Sequence, residues 1–136
     1  YILILVFVLT PQSSRGEEEE PSNVGPDKGI IEVSEEAGMK LSPEAFKTFE
    51  IKTTKVLGPP FILPPNCIVK VKAEVSVFKV HKDWVKRIEV EIKYQPNGNA
   101  IVTSSELQSG DEIVSSGVAY LRIAEIASTG GTSHDH

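Results

Sequence analysis

Residues 87–94, Arg-Ile-Glu-Val-Glu-Ile-Lys-Tyr, alternate charged and apolar side chains without a break, and Gln95-Pro96-Asn97-Gly98-Asn99 follows directly. A period of two puts Ile88, Val90, Ile92 and Tyr94 on one face of an extended chain and Arg87, Glu89, Glu91 and Lys93 on the other, the pattern of a half-buried strand. Pro96 fixes φ while Asn97, Gly98 and Asn99 tolerate positive φ, so the chain reverses there. A strand ending in such a turn needs partners, and candidates lie on both sides. Upstream, Phe78–Val80, the polar His81-Lys82-Asp83 and the run from Trp84 read as a hairpin. Downstream, Ile101-Val102 and Ile113-Val114 are short β-branched runs separated by residues 106–111, where Gly110-Asp111 supplies another turn. The stretch from Val77 to Leu121 is expected to be a compact β-module.

The part of the chain before it has its own punctuation. Ile30, Ile31 and Val33 suggest a strand. Ser42-Pro43-Glu44 is a helix start: Ser caps, Pro suits the first helical position and Glu favours the positive end of the dipole. Ala45, Phe46 and Phe49 then predict a two-turn helix with one buried face, and Ile51–Val56 returns to β character. Gly58-Pro59-Pro60 predicts an extended or turning connector to the second half.

Two sets of residues resemble one family. Val77-Phe78-Lys79-Val80, Arg87-Ile88-Glu89-Val90, then Leu107, Gly110, Asp111, Ile113, Val114 and Gly117 are similar to the two halves of the membrane-proximal β-domain of periplasmic adaptor subunits (membrane fusion proteins) of RND-type efflux pumps. Leu63-Pro64-Pro65-Asn66-Cys67-Ile68-Val69 is similar to the family's entry into that domain, with Asn66-Cys67 where a small apolar pair is usual. Leu41-Ser42-Pro43-Glu44, Ile51, Thr53 and Val56 resemble the family's mature N-terminal region. In full adaptors these segments are separated by a β-barrel, a lipoyl-like domain and a helical hairpin. Here only residues 57–62 lie between them, so the chain looks like an adaptor reduced to one domain. The resemblance implies a mainly β fold, a small antiparallel β-roll or barrel-like domain with one short helix. It implies no catalysis, an inner-membrane RND pump subunit as partner, in the heavy-metal branch of the family, and a membrane-proximal place in the periplasm. A full-length adaptor is a further implied partner, and an edge strand left bare by the missing barrel makes a second copy of the chain another.

The 136 residues leave room for one domain with tails. Tyr1–Leu9 is an unbroken apolar run, too short for a bilayer that needs about 20 residues and of the length of an export-signal core, with Ser13 and Ser14 as small residues near a cleavage point. Residues 1–14 are therefore read as a signal-peptide remnant, with a longer membrane anchor as the alternative. Residues 15–28, rich in Glu, Pro and Gly, read as a disordered acidic linker. The β-domain is expected over 29–127 and a flexible Gly- and Ser-rich tail over 128–136. The formal charge is −5, yet residues 29–127 carry 12 basic against 13 acidic groups. A nearly neutral domain does not have the basic surface that neutralises nucleic-acid phosphates.

Candidate chemistry is sparse. There is no Gly-x-Ser-x-Gly elbow and no phosphate-cradling glycine loop, and the histidines are His81 and the terminal pair, so no base stands beside a nucleophile. Glu89 and Glu91 are expected to be solvated and paired with Arg87 and Lys93. His134, Asp135 and His136 offer nitrogen and oxygen ligands suited to Zn, Cu or Ni, which makes a periplasmic metal-binding or metal-delivery protein the alternative reading. Against that stands the cost of ordering a flexible tail, about 1–2 kcal/mol per residue. Cys67 reads as a small buried hydrophobe, Met39 as a packing residue, His81 as a hairpin-turn residue and Trp84 as core.

Overall fold

The structure is a computed structural model and describes residues 29–128. Ten strands and two helices follow one another: β1 (Ile30–Ser34), β2 (Gly38–Leu41), α1 (Pro43–Thr48), β3 (Lys52–Lys55), β4 (Phe61–Leu63), β5 (Val69–Val71), β6 (Glu74–His81), β7 (Trp84–Glu89), β8 (Glu91–Tyr94), β9 (Ala100–Thr103), β10 (Glu112–Ser116) and α2 (Val118–Ser128). A single 3-10 turn, Pro65–Cys67, precedes β5. Seven strands form one antiparallel sheet in the order β1-β2-β7-β6-β10-β3, with β5 also on β6, and β4-β9-β8 form a second.

The expected local signals explain most of these elements. Ser42 caps α1 by accepting a hydrogen bond from the Ala45 N–H at 3.0 Å, Pro43 opens the helix, and Ala45 and Phe49 turn inward. The β6–β7 hairpin pairs His81 with Trp84 across Lys82-Asp83. At Pro96-Asn97-Gly98-Asn99 the Gly98 N–H donates to the Gln95 carbonyl and the Asn99 N–H to Asn97 Oδ1, which closes β8 onto β9.

The segments before Gly58 and after Leu63 share the large sheet. β3 lies on β10, with Thr53 opposite Val114 and Thr54 opposite Ile113, while β2 lies on β7, with Met39 opposite Val85. The centre of this sheet is buried on both faces, which is why β6 carries Val77 and Phe78 side by side, each fully buried. Val77 joins Ile88, Ile113, Val56, Leu63, Val102 and Cys67 in one core, between the two sheets. Phe78 joins Met39, Leu41, Val85, Val114, Phe49, Leu121 and Ala124 in the other, between the large sheet and the helices. The layers are therefore helix pair, seven-stranded sheet and three-stranded sheet.

Three expectations need correction. The fold is mainly β, but no barrel closes: β1 and β3 end the large sheet without pairing with each other. The reason lies in the alternating stretch itself, which is not one strand. β7 pairs with β6 as far as Glu89, the Val90 N–H donates to the Val75 carbonyl, and β8 then pairs with β9 in the small sheet. The chain leaves the large sheet before that sheet can curl round. Second, there are two helices rather than one short one, since the eleven-residue α2 follows β10 directly. Third, Trp84 is half-buried and outside both cores.

Candidate functional site

Two places in the fold gather polar chemistry, one on each side of the β6–β7 hairpin. On the face turned toward the small sheet, Lys79, His81, Trp84, Lys86 and Ile88 form the floor of a groove of about 470 Å³. Glu106, Gln108 and Asp111 wall it from the β9–β10 loop, and Glu36 and Ala37 from the β1–β2 turn. Period-two geometry accounts for the floor: Lys79 and Lys86 are register partners, as are His81 and Trp84, so all four project from one face.

Four of the five charged side chains lining the groove are paired. Lys79 Nζ donates to the Glu106 carbonyl at 2.9 Å and lies 3.3 Å from Asp111 Oδ2, which also accepts the Gln108 N–H at 2.7 Å. Lys86 Nζ is 3.4 Å from Glu106 Oε1. These pairs hold the loop against the sheet, beside the half-buried Trp84 and the exposed His81. No hydroxyl or thiol lines the groove. Paired charges around an aromatic side chain suit recognition of another polar surface, where complementary charges fix register and an aromatic supplies contact area.

On the opposite face Arg87 takes part in a denser network. Its Nε donates to both carboxylate oxygens of Glu125 at 2.9 Å, and one terminal nitrogen donates to Glu74 at 2.8 Å and to Ser76 Oγ at 3.1 Å. Arg122 Nη1 adds a second bond to Glu125 at 2.9 Å. The network clamps α2 over the sheet. Burial pulls the Arg87 pKa down, and the hydrogen bond and charge of Glu125, followed by Glu74, more than reverse this and raise it above its ordinary value. The guanidinium is thus charged in place. The expected pairing of Arg87 with Glu89 does not occur; Glu89 and Glu91 are exposed, while Arg87 is partly covered by α2.

The other singled-out residues fall as follows. Met39 is packed in the helix-side core and His81 stands exposed at the hairpin end. Cys67 is fully buried, and burial pushes its thiol up to about 11. His134, Asp135 and His136 lie outside the described residues, as do residues 1–14 and 15–28. Among the described residues no group of three or more His, Cys, Asp or Glu side chains is arranged to hold a metal ion, and no helix is long and apolar enough to cross a membrane.

Sequence reasoning missed α2 and the partners of Arg87. A signal was present: residues 118–127 contain no Gly, Pro, Asn, Asp or Ser, include three alanines, and space Arg122 and Glu125 one helical turn apart. Gly117, at φ +88°, makes the corner from β10 into the helix, and a Cβ there would lie 2.8 Å from the Phe49 carbonyl oxygen. In comparisons with known proteins, no family model, no curated protein and no solved structure matches this chain.

Proposed function

We propose that this chain is a non-catalytic docking module of an RND-type efflux system, resembling the membrane-proximal domain of a periplasmic adaptor. In this reading it is exported, and it works on the periplasmic face of an inner-membrane pump of the heavy-metal cation class. The observation that carries the reading is the pairing of β3 with β10. Thr53, in the segment that resembles the family's N-terminal region, is the register partner of Val114, in the segment that resembles its closing half. Two pieces that a full adaptor separates by several domains here complete one sheet. The groove around Trp84, with its paired charges, supports recognition of a protein surface, since aromatic side chains and matched charges are what such contacts use.

The test is co-purification. The tagged full chain is expressed with an RND pump from the same genome, the membranes are solubilised, and the pump is sought in the eluate. Retention of the pump, reduced by Trp84→Ala, is the expected result. A pump that never co-elutes, in membranes where both proteins are present, would refute the assignment.

A further inference from the structure

α2 is apolar on its solvent side as well as on the face that buries Leu121 and Ala124. Its two charged residues, Arg122 and Glu125, are turned toward the sheet and bonded to each other and, through Glu125, to Arg87. Its exposed positions are Ala119, Tyr120, Ile123, Ile126 and Ala127, with Tyr120 and Ile123 each 51% exposed. Surface helices of globular domains normally place charge outward, and an exposed apolar patch of a few hundred Å² is often a functional surface.

We propose that the outer face of α2 is a self-association surface, on which two copies of the chain pair with their helices antiparallel about a two-fold axis at Ile123. The stripe is its own complement. Tyr120, whose ring stacks on Phe49, and Ala127 lie along one edge of the stripe and Ala119 and Ile126 along the other; reversal about Ile123 sets each edge on itself, so Tyr120 falls opposite Ala127 of the second copy and Ile126 opposite Ala119, a large side chain against a small one. Isologous interfaces require such self-complementarity, and alanines facing the larger side chains let two helices approach closely. Val33 of β1, 50% exposed and on the same sheet face as its register partner Met39, extends the surface alongside the helix. The patch offers on the order of 500 Å² per chain. A two-fold pair would bury roughly 1,000 Å², the lower limit for a specific contact, so the dimer is weak and concentration-dependent. A membrane is the poorer occupant: an interfacial helix carries Lys or Arg on its polar face, and the single basic residue of α2 is bonded to Glu125.

Two measurements on the full-length chain test this independently of pump docking, which needs no dimer. Sedimentation velocity across the micromolar range is expected to show a monomer–dimer equilibrium, and Ile123→Glu to weaken it at least tenfold with an unchanged circular dichroism spectrum. In the second, a short bismaleimide is expected to join Ile123→Cys to itself, and Ala119→Cys to Ile126→Cys only when the two variants are mixed. The native Cys67 is buried and serves as the silent control. A wild-type chain that stays monomeric throughout overturns the proposal, and is the result expected if residues 1–28, residues 129–136 or another protein cover the helix. A dimer indifferent to Ile123→Glu, or one whose cross-links do not follow the Ile123 symmetry, overturns it as well.

Discussion

Replacing Arg87 by Met removes the clamp on α2 while keeping most of the aliphatic stem that packs beneath it. Exposed ion pairs contribute about 0–1 kcal/mol, whereas severing a fully buried one costs about 3–5 kcal/mol. The Arg87 and Glu125 side chains are 20% and 21% exposed, which places their pair between those limits; Glu74, at 39%, belongs near the lower one. Glu125 keeps Arg122 after the substitution, so its charge is not stranded. The expected loss is about 2 kcal/mol, or about 8–16 °C in melting temperature for a domain near 100 residues. Urea titration followed by circular dichroism and Trp84 fluorescence measures the total, and a double-mutant cycle with Glu125→Gln isolates the pair, with an expected coupling of about 1–2 kcal/mol. Hydrogen exchange supplies the discriminating readout: α2 amides should lose protection well before those of β6 and β7. A coupling below about 0.5 kcal/mol, or protection lost equally in helix and sheet, would refute the claim that this network fastens α2.

Gly117→Ala should destabilise by about 2 kcal/mol or more, because a side chain is strained at φ +88° and its Cβ meets the Phe49 carbonyl, and thermal melting checks it. Cys67 has its thiol pushed from 9.0 to about 11, so the unfolded chain releases its proton first as pH rises. The neutral-thiol contribution is therefore complete below pH 9 and is lost as pH climbs through 11, at most about 2–3 kcal/mol, and Cys67→Ala should flatten that part of a stability-versus-pH profile. In the native state Cys67 should also resist a thiol reagent until the chain opens, which stopped-flow labelling with and without denaturant reads directly. Calorimetric titration with Zn, Cu or Ni checks the tail: binding sited at His134, Asp135 and His136 disappears when residues 129–136 are removed, and binding that survives the truncation rules that site out.

Local chemistry made the turns and the first helix legible. Pro96–Asn99, Lys82-Asp83, Gly110 and the Ser42-Pro43-Glu44 cap each act through a few neighbouring residues, and each does in the structure what its chemistry dictates. The layering was not legible in the same way. A period of two says which side chains share a face but not what lies over that face, so Arg87 reads as solvated until α2 is known to cover it. The alternation from Arg87 to Tyr94 likewise runs unbroken through Val90, because the chain stays extended while its pairing partners change. The groove around Trp84 was invisible for a related reason: its floor comes from one hairpin and its walls from two distant loops, and only the sheet registers bring them together. The proposed family reading rests on spaced residues, and the β3–β10 register says only that the two segments carrying them share a sheet.

Val77 and Phe78 stand next to each other on β6, yet one belongs to the layer shared with the small sheet and the other to the layer beneath the helices. A volume change on either side moves the backbone on which the opposite side rests, so neither compartment can drift in sequence without correlated adjustment across the strand. Discarding the helices or the minor sheet alone would leave the central strand with an oily surface facing water.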